Sequence, residues 1–93
     1  MQRDFQFYDN EIISYSRVGD TLVLYCIYGF NEKWRTCFYN VASLEGEDNL
    51  VGGIIAFFAR ETPDGDYTIF FRNNSNTATV GTRDHWRRLS GWE

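Results

Sequence analysis

The chain has 93 residues, which sets a limit of one domain around one modest core, and 18% of them are aromatic: eight Phe, six Tyr and three Trp. Its net charge of −4 argues against sequence-independent binding to nucleic acid, which needs a cationic surface. No run reaches the roughly 18–20 apolar residues of a membrane span, and Met1-Gln2-Arg3-Asp4-Phe5-Gln6 has no apolar leader. A cytoplasmic protein with reduced Cys26 and Cys37 is therefore expected.

In chain order, Phe5 and Phe7 alternate with polar neighbours as in a short strand, and Asp9-Asn10 signals a turn. Residues 11–18 and 21–28 are β-branched and aromatic runs around Gly19-Asp20. Glycine at the first central position suits a type II′ hairpin turn. That turn sets Val18 opposite Thr21, Tyr15 opposite Leu24 and Ile13 opposite Cys26. One face then carries Ile13, Tyr15, Leu22, Leu24, Cys26 and Tyr28, the expected core. The other carries Ile12, Val18, Val23, Tyr25 and Ile27, a second apolar face that needs a cover.

Residues 29–33 read as a loop and 34–41 as a third strand. A hairpin there brings Cys37 near Cys26, in a register whose parity the sequence leaves open. Glu45, Glu47 and Asp48 mark an acidic loop. Leu50, Val51, Ile54, Ile55, Phe57 and Phe58 recur at helix-like spacing, but Gly52-Gly53 would cost such a helix roughly 2 kcal/mol against alanines. A fourth strand over 53–61 is the reading, with helix as the alternative. A turn around Pro63 and a fifth strand over 67–72 follow; a turn of Asn and Ser then leads to a sixth strand over 77–82. In the tail, Trp86 and Leu89 stand three apart, which allows one helical turn. No internal repeat is visible. The expected fold over 1–93 is all-β, or α+β with one short helix. An antiparallel sheet of about six strands would form a curved sheet, a small sandwich or a partly open barrel.

Chemistry-bearing patterns are sparse. Two Cys and one His do not make a zinc site, so no metal and no cofactor are expected. His85 is the single histidine, set in a charged segment without a nucleophile beside it in sequence. The carboxylate pairs Asp9/Glu11, Glu45/Glu47 and Asp64/Asp66 fall in or beside turns, where solvated faces are the rule. Arg83, Arg87 and Arg88 with Trp86 and Trp92 resemble a stacking surface for single-stranded nucleic acid, but they are few against an acidic body. Residues 1–66 hold eleven acids and five bases, a net of −6, and residues 67–93 hold two acids and four bases, a net of +2. The other reading of Arg83, Arg87 and Arg88 is that they pair with acids of the body and pin the tail down. The sequence points away from an enzyme.

Three segments taken together carry a family resemblance: Phe7-Tyr8-Asp9-Asn10-Glu11-Ile12, Gly19-Asp20-Thr21-Leu22-Val23-Leu24 and Cys37-Phe38-Tyr39-Asn40-Val41. Over residues 5–41 the chain resembles small bacterial β-rich proteins with an F-H-D-x-x-I…G-D-x-L-x-L pattern, with Tyr8 in place of the His. Some of those are immunity proteins of polymorphic-toxin systems, so the resemblance implies a non-catalytic inhibitor and supplies no catalytic residue.

Composition points the same way. An acidic domain rich in Tyr, Trp and Arg has interface chemistry, and its charge suits a basic toxin or nuclease as partner. The candidate partner-binding residues are Tyr25, Trp34 and Tyr39 as anchors with Glu45, Glu47 and Asp48 as the acidic contacts. A phage-encoded antagonist of a host defence system shares these features. A small-ligand-binding domain with an aromatic-lined pocket is the alternative, and a homodimer is expected from the two-faced second strand.

Overall fold

A computed structural model of the chain describes the backbone of residues 2–4 and all of residues 9–93. The expected strand at Phe5 and Phe7 lies outside the described residues. The elements are β1 (Gln2–Asp4), β2 (Asn10–Val18), β3 (Thr21–Tyr28), β4 (Glu32–Phe38), β5 (Ser43–Glu45), a 3-10 turn (Glu47–Asn49), β6 (Ile54–Arg60), β7 (Tyr67–Phe71), β8 (Thr77–Gly81) and β9 (Arg87–Ser90). All strand pairs are antiparallel, in the order β5-β8-β7-β6-β2-β3-β4-β9, with β1 on β6 off this path. The all-β reading holds, with nine strands rather than about six. Among the described residues, no helix is long and apolar enough to cross a membrane.

The order hides a repeat. Strands β2, β3, β4 and β5 begin at residues 10, 21, 32 and 43; β6, β7, β8 and β9 begin at 54, 67, 77 and 87, so matching strands start 44–46 residues apart. Each run opens with a three-stranded meander and then sends its fourth strand across to the other meander. β5 pairs with β8, and β9 pairs with β4. Even the irregularities match. β2 bulges at Ile13 against β3, and β6 bulges at Ala56 against β7. The two meanders meet where β2 and β6 begin, through the pairs Asn10↔Ile55 and Glu11↔Ile54.

The first hairpin forms at Gly19, whose φ of 60° is left-handed while Asp20 keeps a negative φ, the pattern of a type II′ turn. Val18↔Thr21 and Tyr15↔Leu24 pair as the turn dictates. The expected partner of Cys26 is corrected: the bulge makes it Ile12, which is buried, and turns Ile13 outward. Tyr28, expected in the core, is instead exposed, because it stands in the last pair before the β3–β4 turn. Cys37 pairs with Val23, so the two thiols lie on opposite faces of β3–β4.

The meanders close over one core that includes Leu22, Leu24, Phe38, Ile55, Ile69 and Val80. Phe38 of β4 packs edge-on against Phe58 of β6 and Tyr67 of β7, each at 5.5 Å between ring centroids. Trp86 closes the cluster at 5.6 Å from Phe58. Each ring of this kind stabilises the fold by roughly 2–3 kcal/mol. The strand expected over 53–61 forms as β6, Ile54–Arg60, and Gly53 is required just before it: a Cβ would collide with the Phe71 ring. The single helical turn expected at Trp86–Leu89 is corrected to strand β9, since the edge of β4 offers backbone partners to residues 87–90.

Candidate functional site

The exchange of fourth strands forces two connections past one another, residues 39–42 after β4 and 82–86 after β8. They are stitched together. The Thr82 hydroxyl donates to the Tyr39 carbonyl at 2.5 Å, the Ala42 N–H to the Gly81 carbonyl at 2.8 Å, and the Asn40 side-chain amide to Asp84 Oδ2 at 2.5 Å. Asn40 takes a φ of 50°, a conformation that asparagine tolerates better than most residues.

Arg60 organises the crossing from β6. Its guanidinium lies 3.9 Å from the centroid of the Tyr67 ring and donates to the carbonyls of Pro63, Thr82, Arg83 and Asp84. A buried cation thus satisfies several backbone acceptors that the loop would otherwise leave dry.

Two open clefts flank the crossing and share Asp84. One, of about 540 Å³, is lined by polar residues including Asn40, Asp64, Asp66 and Arg83. The other, of about 600 Å³, is lined by Tyr39, His85, Trp86 and Arg87. His85 is exposed; its ring stacks on Trp86 at 5.0 Å, and its Nδ1 lies 3.2 Å from the Tyr67 hydroxyl. Neither Ser nor Cys lines that second cleft. Burial pushes the Cys26 thiol up to about 12, far from a working thiolate. Among the described residues, no group of acids, Cys and His is placed to hold a metal ion.

The six residues singled out as partner-binding fall in separate places. Tyr25 stands on the outer face of β3, its hydroxyl 3.3 Å from Ser16 Oγ and its ring edge-on to Trp92 at 6.2 Å. Trp34 pairs with Cys26 and so faces inward; its indole N–H donates to Glu32 at 2.7 Å, and the Arg88 guanidinium lies 3.7 Å from its ring. Tyr39 lines the second cleft, its hydroxyl held above the ordinary tyrosine range by desolvation and by neighbouring Cys37. Glu45 ends β5, and Glu47 and Asp48 are exposed in the 3-10 turn. The Tyr15 hydroxyl donates to Glu47 at 3.0 Å, which holds its proton on more tightly than usual.

Trp92, which the sequence offers only as part of a tail stacking surface, is half-buried on the outer face. Gly91, with φ 79°, turns the chain after β9. The indole N–H of Trp92 then donates to the Cys26 carbonyl at 3.0 Å, and its ring lies under Lys33 at 4.8 Å. The pair Gly91-Trp92 was the available signal: a turn residue before a large ring that must find cover. The Arg/Trp tail is thereby divided, with Trp86 in the core, Arg88 on the inner face and Trp92 on the outer face. It is held by the β9 ladder and by ring stacking.

No protein-family model, no curated protein and no solved structure matches this chain.

Proposed function

We propose that the chain is a non-catalytic protein-binding domain of inhibitor or immunity type, acting in the cytoplasm on a basic protein partner. The observation that carries this reading is the outer face of the first meander. Tyr25, Ile27, Leu89 and Trp92 stand half-buried there, on an open sheet surface rather than around a closed pocket. Rigid aromatic side chains half out of water are the usual anchors of protein interfaces. The exposed Glu45, Glu47 and Asp48 add the negative charge that speeds encounter with a cationic partner. Both clefts at the crossing are open rather than enclosed, which favours this reading over a small-ligand pocket.

The test is affinity capture from the native cells with the intact chain, beside a Tyr25→Ala/Ile27→Ser variant. A basic protein held by the wild type and lost at least tenfold by the variant is expected. Retention of a small molecule with no protein partner would overturn the reading. A partner drawn from a host defence system would instead make the chain an antagonist of that system. Light scattering across a concentration series tests the expected homodimer separately.

A further inference from the structure

β2 is an edge strand over half its length. With a two-residue turn at Gly19-Asp20, Val18↔Thr21 is the pair that exchanges hydrogen bonds, and so are Ser16↔Val23 and Ser14↔Tyr25. The N–H and C=O groups of Tyr15 and Arg17 therefore point away from β3. Ile12 points the same way and is satisfied: its N–H donates to the Gly53 carbonyl at 2.9 Å, and its carbonyl accepts from Gly52 at 2.8 Å. Beyond Ile12, no described strand pairs with this edge.

The second meander shows what such an edge takes. Tyr15 and Phe58 each stand two residues past their bulge, and Arg17 and Arg60 each stand four past it. On β6 that stretch is covered by β1, laid antiparallel with Gln2↔Arg60 and Asp4↔Phe58. The matching stretch of β2 keeps the open ladder and gains an acidic flank. The Tyr15 hydroxyl reaches Glu47, so the turn bearing Glu47 and Asp48 borders the inner side of the edge, with Glu45 just before it. Arg17 is the one cation among residues 14–18.

We propose that this edge of β2 accepts an extended basic segment of the partner as an added antiparallel strand; the proposal rests on the protein-binding reading above. Backbone hydrogen bonds to Tyr15 and Arg17 supply the affinity. Lys or Arg side chains facing the acidic turn supply the selectivity.

The probe is a capped nine-residue peptide of alternating Lys and Val, compared with its Glu/Val counterpart. It is titrated into the intact chain while amide exchange is followed residue by residue. Saturable slowing at Tyr15 and Arg17 by the Lys/Val peptide alone is expected. Arg17→Pro deletes one outward N–H and leaves the β2–β3 ladder intact, so it should weaken binding at least tenfold. Arg17→Ala keeps that N–H and should not. Glu45→Lys/Asp48→Lys, remote from the backbone ladder, should weaken binding severalfold. Equal binding of both peptides, protection centred on β9 or β5, or no protection at all would overturn the proposal. So would protection of the edge that rises with protein concentration in the absence of peptide, since a second copy would then be the occupant. A captured partner that binds Arg17→Pro as tightly as the wild type would remove the docking mode and leave the protein-binding reading standing.

Discussion

The two meanders share one plan and use its first strand differently. In the second, β6 is sealed: Phe58 is buried among Phe38, Tyr67 and Trp86, Arg60 grips the crossing loop, and β1 covers the backbone edge. In the first, the equivalent Tyr15 is half-buried, Arg17 is exposed, and the backbone edge has no described strand beside it. Equivalent places in a repeated fold thus carry unequal structural duties, and the copy with fewer duties keeps an open edge.

Substitution at matched positions breaks or sharpens this contrast. Phe58→Ala should cost about 3–5 kcal/mol in urea unfolding, and Tyr15→Ala less than about 2 kcal/mol. Equal losses would mean that the two edges are structurally alike. Arg60→Ala should cost about 3 kcal/mol, because it strands buried carbonyls; Arg17→Ala should change stability by less than about 0.5 kcal/mol.

Alkali should weaken the fold through Cys26. The Cys26 thiol ionises near 9 in the unfolded chain and near 12 when folded, so the folded state holds its proton longer. Stability is then full below pH 9 and falls as pH climbs toward 12, by about 2 kcal/mol at pH 10.5. Unfolding free energies measured against a Cys26→Ala variant should fall more steeply with pH in the parent chain; the raised Tyr15 and Tyr39 hydroxyls leave the variant a smaller slope. The smallest effect is at the turn. Tyr15→Phe removes one exposed hydrogen bond to Glu47 and should alter the unfolding free energy by less than about 0.5 kcal/mol.

Much of each meander was legible in the sequence. Gly19 marked the turn, the alternation over Leu22, Leu24 and Cys26 marked the core face, and Gly52-Gly53 decided strand over helix for the run that follows. Ile13 misled, because a bulge depends on how β2 must bend to meet β6, and adjacent isoleucines look alike to a period of two. β5 and β9 were invisible for a related reason. They are three and four residues long and are strands only because a distant edge receives them. The repeat is faint in the sequence because few matched positions keep their residue, Ile12 with Ile55 and Arg17 with Arg60 among them, while others keep only their side of the sheet: Tyr15 with Phe58, Leu24 with Ile69, Cys26 with Phe71. Of the candidate site, the acidic turn and Tyr25 could be named from sequence. The open edge of β2 could not, since it is defined by the absence of a neighbouring strand among the described residues.

The exchanged fourth strands also govern the order in which the chain can be completed during synthesis. β4 emerges early, yet its outer edge waits for β9, which follows the whole of β6, β7 and β8. The ribosome therefore releases an unfinished first half whose missing strand has yet to be made. Pairing across so long a stretch of chain must close before the sheet is complete, and closure of that range slows folding.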